Sequence, residues 1–247
     1  MIFNKNFENF LDVCEVHKQY VGLGNPNSKI LFIGKEPGIS SEAESVHGTA
    51  QSWKKKTPYW NRYTPKEEKL KNKNHTWQKY QKLYEHIFEG LNTEKFTKED
   101  HEITFVEHVF TTELNNIHAS TSNEAKKNAD FKPNLKKRKE TFWKDDFINQ
   151  FQIVIIFALD RKYIETYEGE VRDLFGVEYS PKNKAEIEYS KKHKLWVYKS
   201  KDDSKNIFPK LLIHTRQLTN GASNDLIEKI GDEIISFVKK EKIQLFN

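Results

Sequence analysis

Apolar positions along the chain follow two spacings that alternate with each other. Phe7, Phe10, Leu11, Val13, Cys14 and Val16 recur mostly three or four residues apart, which predicts an amphipathic helix over residues 3–20. "GLGNPNSK" then breaks the chain, and Ile30–Gly34 reads as a strand buried on both faces, as parallel strands are. Trp77, Tyr80, Leu83, Tyr84, Ile87, Phe88 and Leu91 form one stripe and predict a helix over 76–91. Residues 103–116 begin as a strand and end in polar residues, "ETFWKDDFINQF" reads as a helix, and "QIVIIFALD" (152–160) is the most apolar strand. A helix is expected over Arg161–Phe175, stopping at Gly176. "KLWVYKS" and "FPKLLIHT" read as late strands. Ser223 caps a last helix whose Leu226, Ile227, Ile230, Ile234, Ile235 and Val238 share a face.

Strands alternating with helices, with no internal repeat, predict one α/β domain over residues 1–247, a three-layer α/β/α sandwich around a mainly parallel sheet. Residues 39–75 break the rhythm. They are polar, lysine-rich and punctuated by Pro58 and Pro65, yet hold Trp53, Tyr59, Trp60 and Tyr63. This stretch reads as a long excursion over one end of the sheet. Its aromatics have two readings: Trp53 or Trp60 stacking on a bound base, or a packed insertion against the helix at 76–91.

In parallel sheets the site lies at the carboxyl ends of the strands. Three polar turns fall there: Lys35–Gly38, Thr111–Asn116 and His214–Asn220. In the first, Gly34 turns without a Cβ, Pro37 fixes φ and Gly38 permits close approach, so Glu36 is held rigidly and suits the orienting of a water. In the second, Thr112, Glu113, Asn115 and Asn116 offer donors and acceptors able to read a base edge. In the third, His214 emerges from a buried strand, Arg216 offers a phosphate contact and Leu218 is an apolar side chain in a polar loop. Each set also has an ordinary reading, as turn-formers or a satisfied core histidine.

Charge and cysteine content narrow the classes. Lys plus Arg number 41 against 36 Asp plus Glu, a formal +5 that fits a polyanionic partner without demanding one. Basic segments at Lys54–Lys56, Lys66–Lys73 and Lys126–Lys139 are candidate phosphate contacts or solvated faces. Cys14 is the one cysteine, which excludes an internal disulfide and thiolate-built zinc or iron–sulfur sites. With no signal-like opening and no long apolar window, a soluble cytoplasmic protein with no membrane partner is expected.

"ILFIGKEPG" and "LLIHTRQL" resemble the first and last motifs of the uracil-DNA glycosylase superfamily, in the right chain order and each at a strand end. The resemblance covers about 25 residues in motifs plus the helix–strand order of nearly the whole chain. It implies that Glu36 stands where the family positions the attacking water, and His214 where a histidine binds the base carbonyl. Leu218 matches the leucine that wedges into the stack, and Gly38 the small residue of open-pocket members. The pattern departs at the middle strand, where Glu113 falls nearest to the base-reading asparagine, and at Thr215 and Arg216, which replace Pro-Ser. The activity implied is a monofunctional DNA glycosylase acting on a damaged or deaminated base, without metal or organic cofactor. A catalytically silent nucleic-acid-binding module on the same fold is the alternative. A small-molecule hydrolase is a third class, without support from a Gly-rich phosphate loop or a nucleophile elbow.

Overall fold

The computed structural model describes residues 3–38, 48–55, 76–92, 103–180, 195–200, 208–219 and 222–246. Its centre is the apolar run that the sequence marks most strongly. Strands β2 (Ile30–Gly34), β3 (Phe110–Glu113), β4 (Ile153–Phe157) and β7 (Leu211–Thr215) lie side by side and parallel, in the order β3-β2-β4-β7. Such strands are shielded on both faces, and every residue of β2, β4 and β7 is buried.

Three short strands extend the sheet antiparallel: β1 (Leu23–Gly24) beside β3, then β6 (Trp196–Ser200) and β5 (Val177–Tyr179) beyond β7. Among the described residues the sheet therefore has seven strands and is mixed, where the sequence leads one to expect a mainly parallel one. β1 and β5 are two and three residues long, too short for any hydrophobic period to register.

Alternation along the strands divides the core. Leu31, Ile33, Val154, Ile156 and Leu212 face one layer with helix α1 (Lys5–Val16), short helix α2 (Ala50–Lys54), and Phe142, Trp143 and Phe147. Ile30, Phe32, Ile153, Ile155, Leu211 and Ile213 face another with α3 (Thr76–Leu91) and α8 (Asn224–Glu241). Asn4 and Ser223 cap α1 and α8 through their side-chain oxygens, which accept from Phe7 N and Leu226 N. Between β3 and β4 run α4 (Ser122–Lys127), α5 (Phe131–Glu140), a 3-10 turn at Phe142–Lys144 and α6 (Asp146–Asn149).

Two expected helices are shorter than their apolar spacing suggests. "ETFWKDDFINQF" splits because the Asp145 side chain caps a new start at Phe147 N. Of Arg161–Phe175 only α7 (Glu170–Phe175) is helical, because Glu165 and Gly169 adopt positive φ, at 54° and 92°. Gly176 ends α7 as expected, with φ of 63°. Of the expected excursion at 39–75, residues 48–55 are described; Tyr59, Trp60, Tyr63 and Lys66–Lys73 lie outside the described residues. Among the described residues no helix is long and apolar enough to cross a membrane.

Candidate functional site

The parallel register puts the carboxyl ends of β2, β3, β4 and β7 at one edge, so all three sequence-marked turns share that edge. The first two are joined directly. Beyond the paired residues the chain stays zipped: Leu114 N donates to Gly34 O, Asn115 N to Lys35 O and Ala119 N to Pro37 O. Pro37, which has no N–H to offer, thus contributes only its acceptor, and Glu36 sits in a turn with little freedom.

Glu36 is partly buried, and its Oε1 accepts from the Ser122 hydroxyl at 2.6 Å. Its Oε2 is buried with no hydrogen-bond partner among the described residues. The Tyr163 ring stands beside it, with the Lys35 ammonium 5.9 Å above that ring. Burial first, and then the neighbouring Glu36 carboxylate, hold the Tyr163 phenol well above its ordinary range. Next to the Gly38 backbone is His118, whose Nδ1 is likewise buried and unpartnered among the described residues. Burial pulls the His118 imidazole below its usual pKa, against the pull of the Gly38 backbone. A Cβ built on Gly38 meets nothing within 4 Å among the described residues.

Glu113 completes this cluster. A Cβ on Gly34 would lie 2.1 Å from Glu113 Oε2, so the room that Gly34 leaves is filled by the Glu113 carboxylate and not by a ligand. Desolvation, and next the charge of Glu36, push the Glu113 carboxyl well above the usual range; Arg138 opposes them. A Glu113 that keeps its proton can donate a hydrogen bond as well as accept one.

Such a shift has a stability signature. Below about pH 4.5, the ordinary value, folded and unfolded chains both hold the Glu113 proton. As pH rises the unfolded chain releases it while the folded chain resists, so stability falls until the folded pKa is passed. Glu113→Gln removes that penalty. The variant should match or exceed the parent in urea-unfolding stability at pH 7, with its advantage fading toward pH 4.5. A variant that is markedly weaker at pH 7 would mean that Glu113 is ionised and held by Arg138.

Several residues singled out in the sequence have structural duties instead. Asn115 is fully buried; its amide donates to Phe131 O at 2.9 Å and its Oδ1 accepts from Ile117 N, so it shapes the turn and reads nothing. Asn116 Oδ1 accepts from Tyr20 N and from Arg138. Thr112 is buried and its hydroxyl accepts from Arg138. Trp53 is fully buried among Phe3, Phe7 and Phe110, with its indole N–H on Gly22 O at 2.8 Å; it is packed and not free to stack on a base, and it packs in the layer with α1 rather than against the helix at 76–91. Leu218 is fully buried in the layer with α3 and α8 and presents no wedge to solvent. Arg216 is partly exposed beyond β7. Of the basic segments, Lys54 is held by Asp12 and Glu15, and Arg138 is fully buried.

His214 sits level with Ile33 and Ile156 across the sheet, two strand spacings, or about 10 Å, from β2. It is buried, and its Nε2 meets the carbonyl of Ala158. A carbonyl only accepts, so the ring proton is on Nε2 and is engaged there; burial keeps the ring neutral by lowering its pKa. Its recess, about 340 Å³, is walled by Trp196, Tyr179, Tyr198, Arg161 and Glu165. The connection from β4 to α7 separates the two places, with Tyr163 turned toward Glu36 and Glu165 toward His214. The third turn thus reaches the right edge but opens into a neighbouring recess.

His118 and Tyr163 are site residues that sequence reasoning missed. The signal for His118 was a histidine two residues past "NN" after β3, hidden among turn-formers; Tyr163 was hidden in what read as a helix. Among the described residues no group of three or more His, Cys, Asp or Glu is placed to hold a metal ion. Compared with known proteins, the chain matches no family model, no curated protein and no solved structure.

Proposed function

We propose that the chain hydrolyses the N-glycosidic bond of a damaged or deaminated base flipped out of DNA. The observation that supports this reading is the Oε2 of Glu36 at the end of β2, buried and unpartnered among the described residues, beside a second carboxyl of raised pKa. In this reading Glu36 accepts a proton from water as its oxygen attacks C1′ of the sugar. The electrons of the C1′–N bond leave with the base, and the charge that gathers on the base carbonyl is met by a donor. Glu113, carrying its proton, is better placed for that than His214, whose Nε2–H is already engaged by Ala158. The motif resemblance to the uracil-DNA glycosylase superfamily and the helices on both faces of the sheet support the same assignment, including the three-layer arrangement.

The test is a panel of oligonucleotides carrying uracil, hypoxanthine, xanthine or oxidised bases, each followed by alkaline cleavage. Strand breakage at one lesion, absent from undamaged DNA, is expected. Binding to the panel without any base release would replace the enzyme by a nucleic-acid-binding module. No binding and no release would end both.

A further inference from the structure

A groove of about 880 Å³ runs along α5, and four separate segments bring lysines to it. Helix α5 contributes Lys132, Lys136 and Lys139, spaced four and three residues apart and so on one face of the helix. The 3-10 turn adds Lys144, the β4–α7 connection adds Lys162, and α4 adds Lys126. Some of this charge is neutralised internally. Lys126 pairs with Asp160 at 2.7 Å, Lys139 with Glu170 at 2.6 Å, and Lys136 reaches Glu140 at 3.8 Å. Lys132, Lys144 and Lys162 are exposed, and among the described residues no carboxylate lies within ion-pair distance of them.

The floor of the groove is apolar, with Phe131, Leu135 and Leu174. Tyr167 lines it too and is 51% exposed, one of the few large apolar side chains left in solvent. Its hydroxyl is tied to Asp173 at 3.2 Å, which fixes the ring. The groove is a neighbour of the candidate site: the buried rings of Phe131 and Tyr163, 4.9 Å apart and edge-on, stand between its floor and Glu36.

We propose that this groove holds a single strand of nucleic acid, with Lys132, Lys144 and Lys162 on its phosphates and Tyr167 stacked on a base. Unpaired cations beside a fixed, exposed ring are what sequence-tolerant strand binding requires: charge tracks the backbone, and any base has a face to stack. Resting on the reading of a nucleic-acid substrate, the groove would hold a stretch of that substrate's strand beside the candidate site.

The test measures binding, not base release, so each reading fails separately. Fluorescence anisotropy with a labelled single-stranded oligonucleotide compares the parent with Lys132→Gln/Lys144→Gln/Lys162→Gln, with the corresponding triple arginine variant, and with Tyr167→Ala. Each lost phosphate contact lowers the slope of log affinity against log salt by about 0.7, so the triple glutamine variant should lose about two units. The arginine variant should keep the slope. Tyr167→Ala should weaken binding about tenfold with the slope unchanged. All three changes are at exposed positions, so circular dichroism should show the parental fold. A triple glutamine variant with parental slope and affinity overturns the groove. A Tyr167→Ala variant with parental affinity overturns the single-strand assignment. Strand binding through the groove by a parent that releases no base would sink the glycosylase reading and leave the groove standing.

Discussion

Arg138→Leu is expected to destabilise the fold by about 3–5 kcal/mol, enough to lower the melting temperature by on the order of 10 °C. Arg138 is fully buried, and its guanidinium ties residues 19–20 and 112–116 to α5. It donates to Glu113 O at 2.8 Å, Tyr20 O at 2.8 Å, Gln19 Oε1 at 3.1 Å, Asn116 Oδ1 at 2.9 Å and Thr112 Oγ1 at 2.9 Å. Its plane lies 3.5 Å over the Phe142 ring, a stacking that a guanidinium makes and an ammonium does not. Removing it leaves those buried acceptors without their donor, each at a cost of about 1–3 kcal/mol before relaxation. Burial pulls the Arg138 pKa down to about 9, and the group stays cationic at neutral pH. Its charge also restrains Glu113, so the variant should hold the Glu113 proton more firmly. Arg138→Lys should recover a minor part of the loss, since one ammonium cannot span five acceptors. Urea unfolding of the three proteins is the measurement, and a loss under about 1 kcal/mol for Arg138→Leu would show that water replaces the side chain.

Arg138 also shows where the sequence stops being legible. In "NLKKRKE" it stands among lysines, and nothing in the run tells which cation points inward; the helical face that carries Phe131, Leu135 and Arg138 decides it. The same limit governs the asparagines. "TTELNN" looks like an exposed reading head, yet the chain after β3 is zipped to residues 34–38, and that pairing turns Asn115 into the interior. Trp53 and Leu218 are lone apolar residues in polar surroundings, and burial claimed both because a large apolar side chain gains more from packing than from solvent.

What was legible followed from strong periodicity. The strand at 30–34 and the helix at 76–91 have the bounds that their patterns predict, and Ser223 caps α8. The pairing of Glu36 with Glu113 was half legible, since each closes a strand that reads as buried. Their proximity needs the knowledge that β2 and β3 are parallel neighbours, with Gly34 opposite Glu113. The interruption at 161–169 was not legible, because Glu165 takes a positive φ that non-glycine residues seldom adopt.

Glu36→Gln should lower base release by about a hundredfold or more on whichever lesion the panel identifies, while leaving affinity for undamaged DNA near the parental value. The substitution keeps the shape and the carbonyl oxygen that accepts from Ser122. It removes the negative charge and the proton acceptor, the two properties the proposed step uses. A merely structural Glu36 would show a different result: lost stability with undiminished turnover per folded molecule. A second readout does not depend on finding the substrate. The charge of Glu36 is one of the forces that raise the Glu113 pKa, so neutralising it should let Glu113 ionise at lower pH. The pH range over which stability falls as the unfolded chain alone loses its proton should then narrow from its alkaline side. Glu36→Gln should accordingly gain stability at neutral pH, and the gain should vanish when Glu113→Gln is already present, because the repulsion has then lost one of its partners. Additive effects of the two substitutions would show that the carboxylates do not sense each other, and the paired-carboxyl chemistry would fall with them.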